Sequence, residues 1–172
     1  LGTLHGTTQT VEVMEVRDDG WCRIGAWNHE DGTYMEGYVP TARLKVVQPQ
    51  TRYGLLLDKR TQTLTVFREG ERMGQMRVST GLAEKNKLYQ ETAAGSFLTG
   101  EHMADFSNAG YSYDYVIRYD GGNLLHQAGW RRKDGKEDFS LQAAELGQKA
   151  SHACVRMEPC TGDGELTAYW IF

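Results

Sequence analysis

The sequence predicts a mainly β protein built from two domains. Short runs rich in β-branched and aromatic residues recur between turn signals, a pattern typical of strands joined by hairpins. Helix signals are sparse and fall near the C-terminal end. A polar segment with a proline, residues 48–51, separates two β-rich parts of the chain. We therefore place a first domain at residues 1–50 and a second at residues 51–172.

The first domain carries the signals of a small β-barrel. Residues 11–16 form a β-rich run, an Asp-Asp-Gly turn follows, and residues 21–24 resume an extended pattern. After a polar loop come Gly-Tyr-Val-Pro and a last predicted strand at residues 44–47. This order, with Gly-Trp before an earlier strand, resembles the bacterial SH3-like domain. Its aromatic residues could line a groove for glycan or peptide, or could simply form the core; they are Trp21, Tyr34 and Tyr38.

The second domain opens as a β-meander and ends with one or two short helices. Strands are predicted at residues 53–58, 63–68, 75–78 and 113–119. The sequence Asp-Gly-Gly-Asn at 120–123 predicts a hairpin turn, and His126 lies on or just after the strand that returns from it. One helix is predicted at residues 140–149, with Ser140 as N-cap and a stop at Gly147, and another begins in residues 165–172.

Composition excludes several classes of function. Hydrophobic residues make up 40% of the 172 residues and charged residues 24%, which are globular values. The net charge of −4, without a Lys/Arg cluster among aromatics, argues against a nucleic-acid partner. No apolar stretch approaches the roughly 18 residues of a membrane span. The start of the chain lacks the features of a signal peptide, although this does not exclude export. Three cysteines are too few for a multi-disulfide framework.

One cysteine and two histidines form the candidate chemical site. Cys154 follows His152 by two residues and lies one strand away from His126. A cysteine attacks as the thiolate, so it needs a base or a positive field nearby. In an extended segment His152 and Cys154 share one face, but two side chains on one face need not meet. A base on an independent element is better placed, which favours His126 as proton acceptor and leaves His152 for orientation.

Two other interpretations compete with a nucleophilic site. Both histidines could be structural residues with ordinary hydrogen bonds, and Cys154 a small buried hydrophobic residue. A zinc site is conceivable by residue type, but the spacing fits none of the common zinc patterns; its ligands would be His126, His152, Cys154 and Cys160. We predict no metal and no other cofactor. Cys160 is interpreted as a spare thiol rather than as an oxidisable partner of Cys154.

Four ordered elements over about 120 residues resemble the L,D-transpeptidase catalytic domain of YkuD type. The run Ser-His-Ala-Cys-Val-Arg at residues 151–156 is similar to that family's Ser-His-Gly-Cys-x-Arg or Asn signature, and Leu125-His126 to its upstream histidine. Val-Ser-Thr-Gly, ending at Gly81, resembles the strand end before the active-site loop. Thr-Ala-Ala-Gly-Ser-Phe at residues 92–97 resembles its Thr-Pro-x-Gly-x-Phe element. The resemblance implies a β-sandwich-like catalytic domain.

The resemblance also implies a role for each candidate residue. Cys154 is the nucleophile and His126 the base, while His152 and Ser151 shape the pocket and hydrogen-bond near the thiol. Backbone amides around Ala153 and Cys154 are the expected oxyanion donors. Arg156 is expected either to clamp a substrate carboxylate or to form an ion pair that holds the loop. The substrate-binding residues implied in this way are Arg156, Ala153 and Gly81.

Three features depart from the family pattern. Ala153 stands where glycine is usual, so a positive φ there would cost about 1 kcal/mol or more. Residues 131–138 are an added charged run that we interpret as a solvated loop, or as a rim that selects acceptor stems. The family continues through a helix into a closing strand, and we expect that strand to be missing after Phe172.

The implied activity is extracytoplasmic acyl transfer on peptidoglycan stem peptides, in the cell wall or periplasm. The nucleophile attacks the third residue of a stem tetrapeptide, releases the terminal D-alanine and passes the acyl group to a neighbouring stem, which makes a 3→3 cross-link. Water as acceptor would make an L,D-carboxypeptidase instead. The same residues would also suit a non-catalytic wall-binding protein or a cysteine peptidase that acts on all-L peptides. The oligomeric state cannot be inferred from the sequence.

Overall fold

The computed structural model describes residues 9–28, 33–82, 90–159 and 166–172. These residues form fourteen strands, two short helices and one 3-10 turn at Thr41–Arg43. The strands are β1 (Gln9–Thr10), β2 (Glu12–Val16), β3 (Trp21–Trp27), β4 (Tyr34–Pro40), β5 (Tyr53–Asp58), β6 (Thr63–Arg68), β7 (Glu71–Ser79), β8 (Ser96–Phe97), β9 (His102–Asn108), β10 (Tyr111–Asp120), β11 (Asn123–Gln127), β12 (Arg131–Lys133), β13 (Lys136–Asp138) and β14 (Val155–Met157). The helices are α1 (Ser140–Ala143) and α2 (Ala168–Ile171). The prediction of a mainly β protein is confirmed.

A seven-stranded sheet organises the second domain, in the order β5-β6-β7-β14-β11-β10-β9. Neighbouring strands are antiparallel except for β11 and β14, which run parallel with His126 opposite Arg156. The strands β7, β14 and β11 therefore lie side by side, although they come from distant parts of the chain. This order is consistent with the predicted sandwich-like catalytic domain.

Alternation along the central strands sets apart a buried face and a face that carries polar side chains. Leu125, Val155 and Met157 point into the main hydrophobic core, together with residues from β6, β7 and β10. The helix α2 packs against β11 and adds the fully buried Ala168 to that core. Since side chains along a strand alternate, His126 and Arg156 belong to the other face. Cys154, immediately before β14, is assigned to the same face as Arg156.

The first domain contains a three-stranded antiparallel sheet in the order β2-β3-β4. Cys22, Ile24 and Ala26 form its small core. The aromatic residues Trp21, Tyr34 and Tyr38 are 44–51% exposed, so they are not core residues. Closure of this sheet into an SH3-like barrel stays a prediction. The predicted last strand at residues 44–47 is wrong, because that stretch has no regular structure after the 3-10 turn.

The strand β1 reaches across to the second domain. Gln9 and Thr10 pair with Phe97 and Ser96 of β8, and the Thr10 hydroxyl donates to the Ser96 carbonyl at 3.0 Å. The boundary at residue 50 stays a prediction, and the hydrogen bonds of β1 join the N-terminal segment to β8.

The first of the two helices is shorter than predicted. The first helix, α1, has four residues, and its N-cap residue is Phe139 rather than Ser140. The Asp138 carboxylate accepts the Ser140 N–H at 3.0 Å. The capping hydrogen bond expected from the Ser140 side chain thus comes from Asp138, two residues upstream. The helix ends at Ala143, before the predicted stop at Gly147, which lies beyond a run of turns and has a positive φ. The second helix, α2, lies inside the predicted stretch.

The sequence pattern missed several strands in this domain, among them β9, β12 and β13. The strand β9 is an edge strand with mostly exposed residues, so it lacks the alternation of a half-buried strand. Residues 131–138 form the hairpin β12–β13 rather than a loop. Almost every residue of that hairpin is exposed, which removes the periodic signal. In the described part of the chain, no helix is long and apolar enough to cross a membrane.

Candidate active site

Most of the predicted site residues meet in one cleft of about 660 Å³. The cleft is lined by residues of the central strands and of the β9–β10 hairpin. Its lining includes Cys154, His126, His152, Ser151 and Arg156. A second cavity, of about 780 Å³, is lined mainly by apolar residues such as Tyr53, Trp170 and Phe172 and contains neither Cys154 nor His126.

The parallel pairing of β11 with β14 brings the cysteine and the histidine to this cleft. His126 lies on β11 opposite Arg156 of β14, and Cys154 immediately precedes β14. Cys154 and Arg156 are two residues apart and both line the cleft, whereas Val155 between them is fully buried in the core. The nucleophile candidate and the base candidate therefore come from adjacent strands.

The imidazole of His126 is held in one orientation. Its Nδ1 lies 2.7 Å from the carbonyl oxygen of Gln127, and since a carbonyl only accepts, Nδ1 carries the hydrogen. This tautomer leaves Nε2 with a free lone pair. The ring of Tyr113 contacts the imidazole edge-to-face at 4.6 Å, and Phe106 does so at 5.8 Å. The ring is almost fully buried, at 2% exposure.

Burial favours the neutral forms of the His126 imidazole and the Cys154 thiol. The pKa of His126 is lowered to about 4, mainly by desolvation and also by the charge of Arg156, against an opposing effect of the Gln127 hydrogen bond. Burial also raises the pKa of the Cys154 thiol, while a hydrogen bond from the Leu124 backbone and the charge of Arg156 act in the opposite direction. At neutral pH the site therefore holds a thiol and a neutral imidazole rather than an ion pair.

The segment before Cys154 is fastened to the end of β7. The N–H groups of Ala150 and Ser151 both donate to the Thr80 carbonyl, at 2.9 and 3.0 Å, and Leu82 N–H donates to the Ser151 carbonyl at 3.0 Å. Thr80 is itself held by the side chain of Gln62, which donates to its hydroxyl and accepts its N–H, each at 2.8 Å. The nucleophile segment thus continues the sheet beyond β7.

Ala153 adopts the left-handed backbone conformation, with a φ of 75°. The alanine therefore bears the steric cost of a positive φ, about 1 kcal/mol or more. This conformation also means that residues 151–154 form a bend rather than an extended segment. The premise that His152 and Cys154 share one face of a strand is wrong for that reason.

Ser151, His152 and Gly81 occupy three different positions around the nucleophile. The buried Ser151 hydroxyl donates to the carbonyl oxygen of Cys154, so it holds the segment next to the thiol. His152 is exposed at the cleft. Gly81 lies behind the segment, where a Cβ would stand 2.8 Å from the Ala153 nitrogen and 1.9 Å from the Gln90 carbonyl oxygen. Only glycine fits there, while a role of Gly81 in substrate binding stays a prediction.

Arg156 forms an ion pair at the cleft. Its guanidinium donates to the carboxylate of Glu145, which follows α1, and the arginine side chain is 11% exposed. The ion pair expected as one role of Arg156 is present. Because Arg156 also lines the cleft, its charge faces the space where a substrate would lie.

Aromatic and amide groups that no sequence motif predicts support the site around the His126 ring. Tyr113 and Phe106 stack on each other at 4.6 Å and enclose the His126 ring. Gln142 of α1 donates to the Tyr113 hydroxyl at 3.2 Å and accepts the Gly129 N–H at 2.8 Å. These residues carry no motif, so only the pairing of β9, β10 and β11 reveals them.

Arg131 of the charged hairpin β12–β13 contacts a residue of the cleft lining. The guanidinium of Arg131 lies over the ring of Tyr111, 4.4 Å from its centroid, and donates to its hydroxyl. Tyr111 lines the cleft. The rest of the hairpin is mostly exposed, so its interpretation as a rim that selects acceptor stems stays a prediction.

The described residues contain no candidate metal site. No group of three or more His, Cys, Asp or Glu side chains is arranged there to hold an ion. Cys160, the fourth ligand of the conceivable zinc site and the conceivable oxidation partner of Cys154, lies outside the described residues.

A protein-family model matches the part of the chain that contains the cleft. The family model for the L,D-transpeptidase catalytic domain, YkuD, matches residues 52–161. That range contains β5 to β14 and every site residue discussed above, and it leaves the three-stranded N-terminal sheet unmatched. No curated protein matches the sequence.

Proposed function

From membership of the L,D-transpeptidase catalytic domain family, to which this chain belongs, we propose that it is a peptidoglycan L,D-transpeptidase with Cys154 as nucleophile. The observation that carries the proposal is the placement of Cys154 and a neutral, oriented His126 in one cleft within the matched range. The substrate is a stem tetrapeptide, and the product is a 3→3 cross-link. Such an activity belongs outside the cytoplasm, in the cell wall or periplasm.

Acylation begins when the Cys154 sulfur attacks the carbonyl carbon of the third stem residue. As the S–C bond forms, the thiol proton moves to Nε2 of His126, and the carbonyl oxygen becomes an oxyanion. Collapse of this intermediate breaks the C–N bond to the terminal D-alanine. His126 returns the proton to the leaving amine, and a thioester remains on Cys154.

Two groups of the cleft stabilise the charge that develops. The backbone N–H of Cys154 is the expected oxyanion donor, with that of Ala153 beside it. Arg156 favours the thiolate, because its positive charge lowers the thiol pKa, and it opposes a protonated His126 for the same reason. The proton is therefore transferred during attack rather than beforehand.

The second half-reaction uses an amine of a neighbouring stem. The amine nitrogen attacks the thioester carbon, the C–S bond breaks, and the proton released by the amine returns to the thiolate through His126. The Tyr111–Arg131 side of the cleft is where we place the acceptor stem, since it is the part of the lining that the added hairpin contacts.

Incubation with defined muropeptides tests the reaction. With a disaccharide tetrapeptide as the sole substrate, we expect loss of D-alanine and a 3→3 linked dimer, both identified by mass spectrometry. Tripeptide without dimer would instead identify an L,D-carboxypeptidase. Cleavage of an all-L peptide would indicate a cysteine peptidase, and binding to sacculi without any turnover would indicate a wall-binding protein.

Replacement of Arg156 should weaken stem binding if its guanidinium contacts the substrate carboxylate. We expect Arg156→Gln to raise KM for the tetrapeptide about tenfold, because a hydrogen bond to a charged group is lost. The matched variant Glu145→Gln removes the ion pair but keeps the cation, so KM should stay the same or fall. Steady-state kinetics of D-alanine release provide the measurement. An equal rise of KM in both variants would mean that Arg156 acts only through its pair with Glu145.

A further inference from the structure

The strained residue beside the nucleophile is held by two hydroxyl groups. The carbonyl oxygen of Ala153, the residue with a φ of 75°, accepts a hydrogen bond from Thr92 Oγ1 at 2.9 Å. It accepts a second one from the Tyr119 hydroxyl at 3.0 Å. Thr92 is fully buried, and Tyr119 is 7% exposed. The two donors come from different parts of the fold and converge on one oxygen.

Each donor is itself fixed by its surroundings. The Thr92 hydroxyl also accepts the Gly81 N–H at 2.8 Å, and Lys59 donates to the Thr92 carbonyl at 2.7 Å. Lys59 pairs with Glu91, which binds Lys149 as well, so the Thr92 segment is attached on both sides. Tyr119 lies near the end of β10, where its ring packs edge-to-face against Phe97 at 5.6 Å.

We propose that Tyr119 and Thr92 are positioning residues, which hold Ala153 in the left-handed conformation and thereby aim the backbone N–H of Cys154 into the cleft. The carbonyl of Ala153 and the N–H of Cys154 belong to the same planar peptide unit, and in a trans peptide they point in opposite directions. Fixing the oxygen in the protein interior therefore fixes the direction of the N–H. This inference rests on the proposed function, in which that N–H binds the oxyanion.

The two hydroxyl groups matter because residue 153 is an alanine rather than a glycine. Glycine adopts positive φ about as readily as negative φ, whereas alanine disfavours it. With alanine at this position, loss of either hydrogen bond lets the peptide unit rotate away from the strained conformation. A glycine would keep a substantial share of its population in the active conformation without the two donors.

The test measures acylation in two backgrounds. Tyr119→Phe and Thr92→Val each remove one hydroxyl, and each is made in the native chain and together with Ala153→Gly. We expect each variant to lower kcat for D-alanine release about tenfold in the native chain, with little change in KM, because the oxyanion contact exists only in the transition state. In the Ala153→Gly background the loss should shrink to about twofold. Thr92→Ser, which keeps the donor, should recover most of the rate lost in Thr92→Val.

A purely structural role gives a different result. If Tyr119 and Thr92 only stabilise the core, their replacement lowers the rate by the same factor with alanine or glycine at position 153, and the proposal is overturned. Thermal unfolding of each variant shows whether the protein is folded in the assay. Equal losses in the two backgrounds, together with full activity of the native chain, would reject the positioning role but not the proposed function.

Alkylation of Cys154 tests the positioning role in the case that the proposed function fails. Should the native chain release no D-alanine, the proposed function fails, and the positioning role is tested by the pH dependence of Cys154 alkylation with iodoacetamide. Rotation of the peptide unit moves the thiol relative to Leu124 and Arg156, so Tyr119→Phe should shift the midpoint of that profile in the native chain. In the Ala153→Gly background the shift should be small. The same midpoint change in both backgrounds, or none in either, would overturn the positioning role.

Discussion

Replacement of Cys154 by alanine should abolish acylation completely. Incubated with a carbapenem, which reacts as an acylating analogue of the stem, the native protein should gain the mass of one drug molecule, whereas Cys154→Ala should gain none. Turnover of stem tetrapeptide should fall by a factor on the order of 10⁴ or more, since no other group can form the covalent intermediate. Cys154→Ser should be nearly as inactive, because the alcohol is far less acidic than the thiol and His126 is a weak base. Intact-protein mass spectrometry and D-alanine release provide the measurements.

Cys22 supplies the matched control for this experiment. It is a buried cysteine of the N-terminal sheet, 3.1 Å from the Thr41 hydroxyl and far in sequence from the cleft. Cys22→Ala should keep the full mass shift and the full turnover. An adduct that persists in Cys154→Ala, or that disappears in Cys22→Ala, would contradict the assignment of the nucleophile. Binding to sacculi should be equal in the native protein and in Cys154→Ala.

The sheet of the second domain was largely predictable, because most of its strands are half-buried. The strands β5 and β6 match their predicted bounds, because both are bounded by turn residues and β6 also alternates. The Gly121–Gly122 turn between β10 and β11 was predicted from glycine and its neighbours. The edge strand β9 and the exposed hairpin β12–β13 could not be predicted, because solvent on both faces erases the period of two. The parallel pairing of β11 with β14 has no local signal at all.

The candidate site was predictable only where a short motif marks it. Cys154, His126 and Arg156 were identified from residue types and from the resemblance, and the structure brings all three to one cleft. Tyr119 has no such mark, since a buried tyrosine in a strand looks like any other core residue. Its function emerges only when the fold places its hydroxyl beside the Ala153 carbonyl. The strain at Ala153 could be anticipated from the sequence, but its support could not.

Loss of the imidazole in His126→Gln should reduce the rate of acylation by about 10²- to 10⁴-fold at neutral pH, the range over which a positioned general base acts. The reduction should be greatest near neutral pH, because burial raises the pKa of the Cys154 thiol and little thiolate exists there without a base. As the pH rises toward the thiol pKa, hydroxide produces the thiolate in both proteins, and their rates should converge. Single-turnover acylation by a carbapenem, followed from acidic to alkaline pH, measures this.

Protonation of His126 also determines how kcat/KM and the free energy of unfolding change at acidic pH. Because the pKa of His126 is lowered to about 4 in the folded protein, kcat/KM of the native chain should fall only below about pH 4, where the ring becomes protonated. The unfolded chain binds that proton with a pKa near 6.5. A group whose pKa is lower in the folded state destabilises the fold as the pH decreases, so the free energy of unfolding should fall from about pH 6.5 to about pH 4. His126→Gln should remove that contribution.

Two other histidines test whether this effect belongs to His126 alone. His102→Gln, on the exposed edge strand and outside the cleft, should keep the native rate at every pH. His152→Gln, at the exposed side of the cleft, should lose less than His126→Gln, because it orients rather than accepts the proton. A larger loss for His152→Gln, or a deficit of His126→Gln that does not shrink as the pH rises, would transfer the role of base away from His126. An acid limb of the native profile near the ordinary histidine pKa of about 6.5 would contradict the buried, neutral imidazole from which the mechanism begins.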